Sequence, residues 1–415
     1  MNTSMASKKK GYLFFIIILY FFIYSPNVLF LREALNPGNL VVYYSAAYMF
    51  IHMRSLKKFV SIFKVEFLLF SLILLFVLFR SILDPDIGFT IQSILAVLKI
   101  FVVVPFLMNY AQKGCFFTMK EIIKAFLIVG SIAAVISTLC VISPQINSYI
   151  RDSIIQLESE DYMVMGGIRG FGFANSLTSH YGYVQGFLVG IGCLFLKENK
   201  WFLFFIPVLL LSAVVNARTG LIIGIVGFMF AIMSKERSVA ILFILLGVLL
   251  IINVEQLLLS VGLNENTVSW LLDFQNDMNK MIGSGSITAS STGETLLGRM
   301  AVLPENLEQW IIGRGYDIFY GGMSISNSDV GWYRQLNYGG IIYITLLYGT
   351  VIFVLRKLFE YKQKQYMYYF LSVFLILNTK SSIYPLYTLF SVLMMFYFMH
   401  IFEGMKMVRK RNLSI

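Results

Sequence analysis

The chain has 415 residues, of which 58% are hydrophobic and only 13% charged, whereas a soluble domain carries roughly 25% charged residues. With a mean hydropathy of +0.76, this excludes an ordinary soluble domain and points to an all-α polytopic membrane protein; the period-two alternation of a transmembrane barrel is absent. The net charge of +11 does not mark a nucleic-acid binder, because the basic residues gather in short loops beside the apolar runs.

Apolar runs long enough to cross a hydrocarbon core of about 30 Å as helix recur along the whole length. They predict about 12 transmembrane helices, at roughly 11–31, 39–53, 64–82, 91–110, 121–143, 180–196, 201–216, 219–234, 238–254, 337–355, 366–379 and 383–402. The first run follows Lys8-Lys9-Lys10 and is too long for the apolar core of a signal peptide, so it reads as an uncleaved span. Cys115, Cys140 and Cys193 fall in or beside predicted spans without pairing or metal spacing, and read as small core residues.

Charge sets the expected orientation. With Lys8–Lys10 inside, every second loop is basic: Arg54 to Lys64, Lys113 to Lys124, Lys197 and Lys200, Lys235 and Arg237, Arg356 to Lys364, and Lys406 to Arg411. The positive-inside rule then places both termini in the cytoplasm. The expected organisation is a membrane domain of nine spans over 1–254, with an outer loop at about 144–179. A large, partly helical outer loop over 255–336 follows, and then three spans and a basic tail over 337–415. Gly283-Ser284-Gly285-Ser286 and Ser290-Ser291-Thr292-Gly293 read as a flexible connector inside the large loop.

The large loop carries nine acids against Lys280, Arg299, Arg314 and Arg334, so its arginines do not belong to a general basic field. Arg169, in Gly166-Gly167-Ile168-Arg169-Gly170, and Arg218, in Asn216-Ala217-Arg218-Thr219-Gly220, stand at the same predicted face. Arginine beside glycine suits an oxyanion, since the backbone N–H groups can approach closely and the planar guanidinium binds phosphate in bidentate fashion. The bland alternative is pairing with loop acids or lipid headgroups. Asp329, about eight residues before a span, can stand at the membrane surface as a base, with Asp317 and Glu294 in reserve; N-capping or loop-ordering is the competing role. Lys99 and Glu66, within or near spans, read as structurally paired. His52, His180 and His400 form no metal-ligand spacing with cysteine or acid, so no metal and no cofactor are expected.

Four local patterns resemble the O-antigen polymerase (Wzy) family of the O-antigen polymerase/ligase superfamily. They are Asn216-Ala217-Arg218-Thr219-Gly220; Gly298-Arg299-Met300-Ala301 leading to Gly313-Arg314-Gly315-Tyr316; Ser328-Asp329-Val330-Gly331-Trp332 running to Gly339-Gly340-Ile341; and Thr379-Lys380. The resemblance implies an inner-membrane glycosyltransferase acting on undecaprenyl-pyrophosphate-linked oligosaccharides at the periplasmic face. It implies no nucleic acid as partner, and a chain-length regulator as a further candidate partner. It puts Arg218, Arg299 and Asp329 at the catalytic step, with Arg169, Arg314, Asp317, Glu294 and Lys380 around the substrate. Ligases of the superfamily have a histidine near the Asp329 position. The segment 254–335 has none, which favours polymerase; His180 keeps ligase as an alternative, and a flippase remains the less favoured one.

Overall fold

In the computed structural model the described residues are 2–31, 35–83, 86–113, 118–154, 172–174, 180–233, 241, 268, 272, 280, 283–286, 291–295, 298, 300–320, 328–361 and 363–412. Among them no β-strand occurs. In chain order the helices are α1 (Asn2–Tyr24), α2 (Pro37–Ile51), α3 (Met53–Ile62), α4 (Lys64–Leu83), α5 (Ile87–Leu98), α6 (Val104–Lys113), α7 (Met119–Ile142), α8 (Pro144–Ser153), α9 (His180–Leu194), α10 (Ile206–Asn216) and α11 (Arg218–Met233). Then come α12 (Ser291–Glu294), α13 (Leu307–Ile312), α14 (Gly331–Glu360), α15 (Lys364–Asn378), α16 (Ile383–Leu386) and α17 (Thr388–Asn412).

The helix starts follow local chemistry. Thr118 caps α7, its hydroxyl accepting from Glu121 N at 3.2 Å, and the spacing Thr118–Glu121 is that of a capping box. Asp86 caps α5 by accepting from Phe89 N at 2.9 Å. Pro144 stands in the first turn of α8 behind the Ser143 cap, where its missing N–H costs nothing. Helices stand at each predicted span except the ninth, 238–254, which lies almost wholly outside the described residues.

Among the described residues five helices are long and apolar enough to cross a membrane: Lys64–Leu83, Ile87–Lys113, Met119–Ile142, Gly331–Glu360 and Thr388–Met405. The clearest physical sign of a lipid environment is α4, of which only 28% of the most apolar stretch is buried. Phe67, Leu68, Leu72, Leu75, Phe79 and Ile82 are exposed on it. In water an apolar face of that length would be a severe aggregation liability; against acyl chains it costs nothing. The chain is an all-α membrane protein.

The helices fall into two compact units. One comprises Met1–Tyr44 and Leu107–Met278, the other Ser45–Phe106 and Asn279–Ile415. In the first, α9 is buried along its entire length. It lies so close to α11 that a Cβ on Gly186 would overlap the backbone of Gly220, the small-residue contact by which helices associate where lipid supplies no hydrophobic drive. Gln185 ties α9 to its neighbours, donating to Tyr24 Oη at 2.9 Å and to Gly130 O at 3.2 Å. Asn216, at the end of α10, donates to Ser137 Oγ of α7 at 2.8 Å.

In the second unit α14 packs against α4, α13, α15 and α17. Glu66, buried at the start of α4, accepts from Lys357 Nζ at 2.7 Å and from Tyr397 Oη at 2.6 Å. Lys99 opens a π-helical turn, Lys99–Val103, and donates to Thr388 Oγ1 at 3.2 Å. Two of the long elements are interrupted. Gly340 has φ 65° and ψ −163° and breaks α14, and between α15 and α17 the chain turns through residues 379–387 with only the four-residue α16 between them.

Candidate functional site

Both interruptions belong to the second unit, and the polar residues of that unit gather around them. The break at Gly340 leaves the last carbonyls of the preceding half-helix without their usual partners. The Gly313-Arg314-Gly315 turn supplies them: Arg314 N donates to Asn337 O at 2.5 Å and Gly315 N to Tyr338 O at 3.0 Å. The match demands glycine on both sides. Gly313 has φ 76° and Gly340 φ 65°, a region that L side chains rarely adopt. A Cβ on Gly313 would overlap the backbone of Tyr338 and Gly339, and one on Gly340 that of Ile311 and Ile312.

Two buried arginines fix this turn. Arg80, near the end of α4, donates from Nη2 to Gly313 O at 3.0 Å. Arg334, one turn into α14, grips Asp317 with both arms: Nε donates to Oδ1 at 2.8 Å and Nη2 to Oδ2. Their side chains are 4% and 5% exposed. The guanidinium also reaches Ser381 Oγ at 3.5 Å and lies 4.5 Å from the centre of the Phe319 ring. Asp317 N donates to Asp86 Oδ2 at 2.8 Å, so the same aspartate that caps α5 anchors the loop. A buried charge pair is tolerable only when its groups are further hydrogen-bonded; here Asp317 Oδ1 also accepts from Phe319 N at 3.2 Å and the guanidinium reaches Ser381 in the 379–382 turn.

That turn is held from the other side by an amide cluster. Gln335 Nε2 donates to Asn378 Oδ1 at 2.8 Å and to Ser382 Oγ at 3.0 Å, and its carbonyl accepts from Tyr348 Oη at 2.9 Å. Above this framework stands an accessible pair, Asp329 and Lys380, 3.5 Å apart and 36% and 37% exposed respectively. Arg314 is nearer the surface than Arg80 or Arg334, donating to Leu303 O and pairing with the exposed Glu305, each at 3.2 Å. The strap that carries Leu303 is itself tied down by Ser328 Oγ to Met300 O at 2.7 Å and by Asn337 Nδ2 to Val302 O at 2.8 Å.

Of the residues singled out from sequence, Arg314, Asp317, Asp329 and Lys380 all belong to this assembly. Asp317 does so as the committed counter-ion of Arg334. Glu294 is exposed at the end of α12. Arg218 begins α11 in the first unit. Arg169 and Arg299 lie outside the described residues, as does most of the 144–179 loop and much of 255–336. His180 opens α9 in the first unit and is buried. Among the described residues no three histidines, cysteines or acids are grouped to hold a metal ion.

Sequence reasoning assigned no role to Arg80, Asp86 or Arg334. Two signals for them were present: Arg80 and Asp86 flank the short turn between two apolar runs, and Arg334 follows Gly331 by three residues, which is one helical turn.

The fold and this polar assembly define an all-α membrane protein with a charged cluster at two broken helices. Comparison with family models, with curated proteins and with solved structures yields no match to the chain.

Proposed function

We propose that the protein is a polysaccharide polymerase of the bacterial inner membrane. It joins undecaprenyl-pyrophosphate-linked oligosaccharide repeat units at the periplasmic face, in O-antigen or related surface polysaccharide synthesis. In this reading the chain crosses the membrane about twelve times with both termini cytoplasmic, and the 255–336 loop faces the periplasm. The observation that carries the proposal is the accessible Asp329–Lys380 pair, 3.5 Å apart, in the same unit as Arg314 and the buried Arg334–Asp317 pair. It offers one acid and two cations with no metal required.

The reaction assigns each a task. The growing chain is the donor and a single lipid-linked repeat the acceptor. An acceptor hydroxyl oxygen forms its bond to the donor's anomeric carbon, the bond from that carbon to pyrophosphate breaks, and undecaprenyl pyrophosphate leaves with the electron pair. Asp329 takes the hydroxyl proton, and its spacing to Lys380 leaves the carboxylate accessible to an incoming hydroxyl. Lys380 and Arg314 stabilise the charge that grows on the leaving pyrophosphate; the assignment of Arg218, Arg299 and Arg169 to pyrophosphate binding is carried by the sequence resemblance alone. Asp317 holds Arg334 and through it the 379–382 turn that carries Lys380. Glu294 serves acceptor orientation.

The test is a gel of surface polysaccharide from a strain lacking the gene, beside the parent and a complemented strain. Collapse of a ladder to core plus one repeat is the expected result. A core-only pattern overturns the proposal, and analysis of carrier-lipid glycans then separates a ligase, which leaves polymer on the carrier, from a flippase. In the complemented background, Arg218→Ala, Arg299→Ala and Asp329→Asn lose polymer at unchanged protein level; full-length polymer from all three removes the site assignment.

A further inference from the structure

The connection between the second and third predicted spans is itself a helix, α3. Backbone breaks at His52 (φ −102°, ψ 41°) and Phe63 (φ −108°, ψ 34°) set it off from α2 and α4. Its two faces differ. Phe59 is buried and, with Phe63, meets the Phe398 ring of α17 at 5.0 and 4.4 Å between centres. Arg54, Lys57, Lys58 and Ser61 follow the i, i+3, i+4, i+7 spacing of a single helix face, opposite Phe59. All four are exposed, as is Lys64 just beyond.

These cations have no internal task. Among the described residues none of Arg54, Lys57, Lys58 and Lys64 pairs with an acid. The helix carries no acid of its own, and Glu66, the nearest in sequence, is buried and bonded to Lys357 and Tyr397. Like charges one helical turn apart repel, so the face is stabilised by an external anion. A basic face alone is often no more than a solvated one; what borders this face selects its partner. Phe50 and Ile51, just before α3, are 74% and 77% exposed, and Phe67 and Leu68, soon after it, 38% and 58%. In a membrane protein, large apolar side chains so exposed face acyl chains. The cations one or two turns away therefore stand at the level of the headgroups. A soluble acidic partner would have to bind flush against the bilayer, whereas phosphodiester headgroups are already there.

We propose that α3 is an interfacial helix whose Arg54, Lys57 and Lys58 face, with Lys64, binds the headgroups of anionic phospholipids in the leaflet where it lies. Because its apolar face is seated on α17, the bound headgroups brace the second unit at that membrane surface.

The experiment is native mass spectrometry of the full-length protein released from detergent micelles, titrated separately with phosphatidylglycerol and phosphatidylethanolamine. Each cation beside anionic lipid contributes about fivefold, so phosphatidylglycerol is expected to bind about tenfold or more the tighter. Arg54→Gln/Lys57→Gln/Lys58→Gln is expected to lower that affinity by about tenfold or more and to leave phosphatidylethanolamine binding as it was. Lys57→Arg/Lys58→Arg, which keeps the charge, is expected to match the parent. Lys113→Gln/Lys120→Gln/Lys124→Gln removes the same charge from exposed positions elsewhere and is expected to keep the preference for phosphatidylglycerol. Equal affinity of the parent for the two lipids overturns the proposal and leaves the face to a soluble acidic partner. An equal loss of phosphatidylglycerol in the two glutamine variants also overturns it, since the attraction would then belong to net charge and not to α3.

Discussion

Arg334 and Asp317 are the most heavily buried opposite charges of the candidate site, and their removal has a calculable signature. Arg334→Met leaves a carboxylate that is 5% exposed, and Asp317→Leu leaves a guanidinium that is 4% exposed. Stranding either charge is expected to cost about 3–5 kcal/mol. The cation–π contact with Phe319 adds up to about 2 kcal/mol to the loss of Arg334 when desolvated. The double variant strands nothing, and an apolar pair of similar volume is often neutral relative to the ion pair. The two single losses therefore should not add, and the coupling energy of the cycle is expected to be at least about 3 kcal/mol. Reversible unfolding in mixed micelles, followed by circular dichroism for the parent, both singles and the double, measures it. Singles that each lose less than about 1 kcal/mol, the range of an exposed pair, would refute the reasoning, as would a double equal to the sum of the singles.

Glycines in one helix should respond in opposite directions. Gly340→Ala, at φ 65° against the backbone of Ile311 and Ile312, is expected to lose more than about 2 kcal/mol. Gly349→Ala, where a Cβ meets nothing within 4 Å, is expected to gain up to about 1 kcal/mol from helix propensity; the same unfolding assay reads both. Lys357→Met strands the buried Glu66 carboxylate and should cost about 3 kcal/mol, most of it recovered by Glu66→Gln in the same chain; no recovery would show that the lysine acts through packing alone. Gly186→Leu should separate α9 from α11, and a disulfide pair engineered across that contact should then fail to form on oxidation, which a gel shift reports.

Much of the helix layout was legible because hydropathy over twenty residues reports burial in lipid directly. The starts at Asp86, Thr118 and Ser143 follow from capping chemistry that sequence displays. The interruptions were less visible. Hydropathy treats 337–355 as one apolar run, although Gly340 turns the backbone through a left-handed φ within it, and the same averaging joined residues 383–387 to the helix that starts at Thr388. The charges were legible as residue types but not as partners. Nothing in the spacing of Asp317 and Arg334 announces a bidentate pair, because one lies in a loop and the other in the first turn of a helix. For that reason the sequence offers Asp317 only as a reserve to Asp329, with no hint of its partner. Asp329 and Lys380, 51 residues apart, meet only because the 379–382 turn docks against the start of α14 at Gly331, where a Cβ would press on Ser381 O.

The position of the Gly340 break also bears on how the chain enters the bilayer. Residues 341–360 rise about 30 Å as helix, the thickness of the hydrocarbon layer. The stretch before the break, Gly331-Trp332-Tyr333-Arg334-Gln335-Leu336-Asn337-Tyr338-Gly339, is too short and too polar to be released into lipid by the insertion machinery. The longer half can therefore partition first, while the shorter half waits in water and docks afterwards, once α13 and the 379–382 turn are available to receive it. Assembly of the charged cluster would then be a late maturation event, separable in time from membrane integration. A protease site placed before Gly331 should be cut in newly inserted chains and become protected only as they mature.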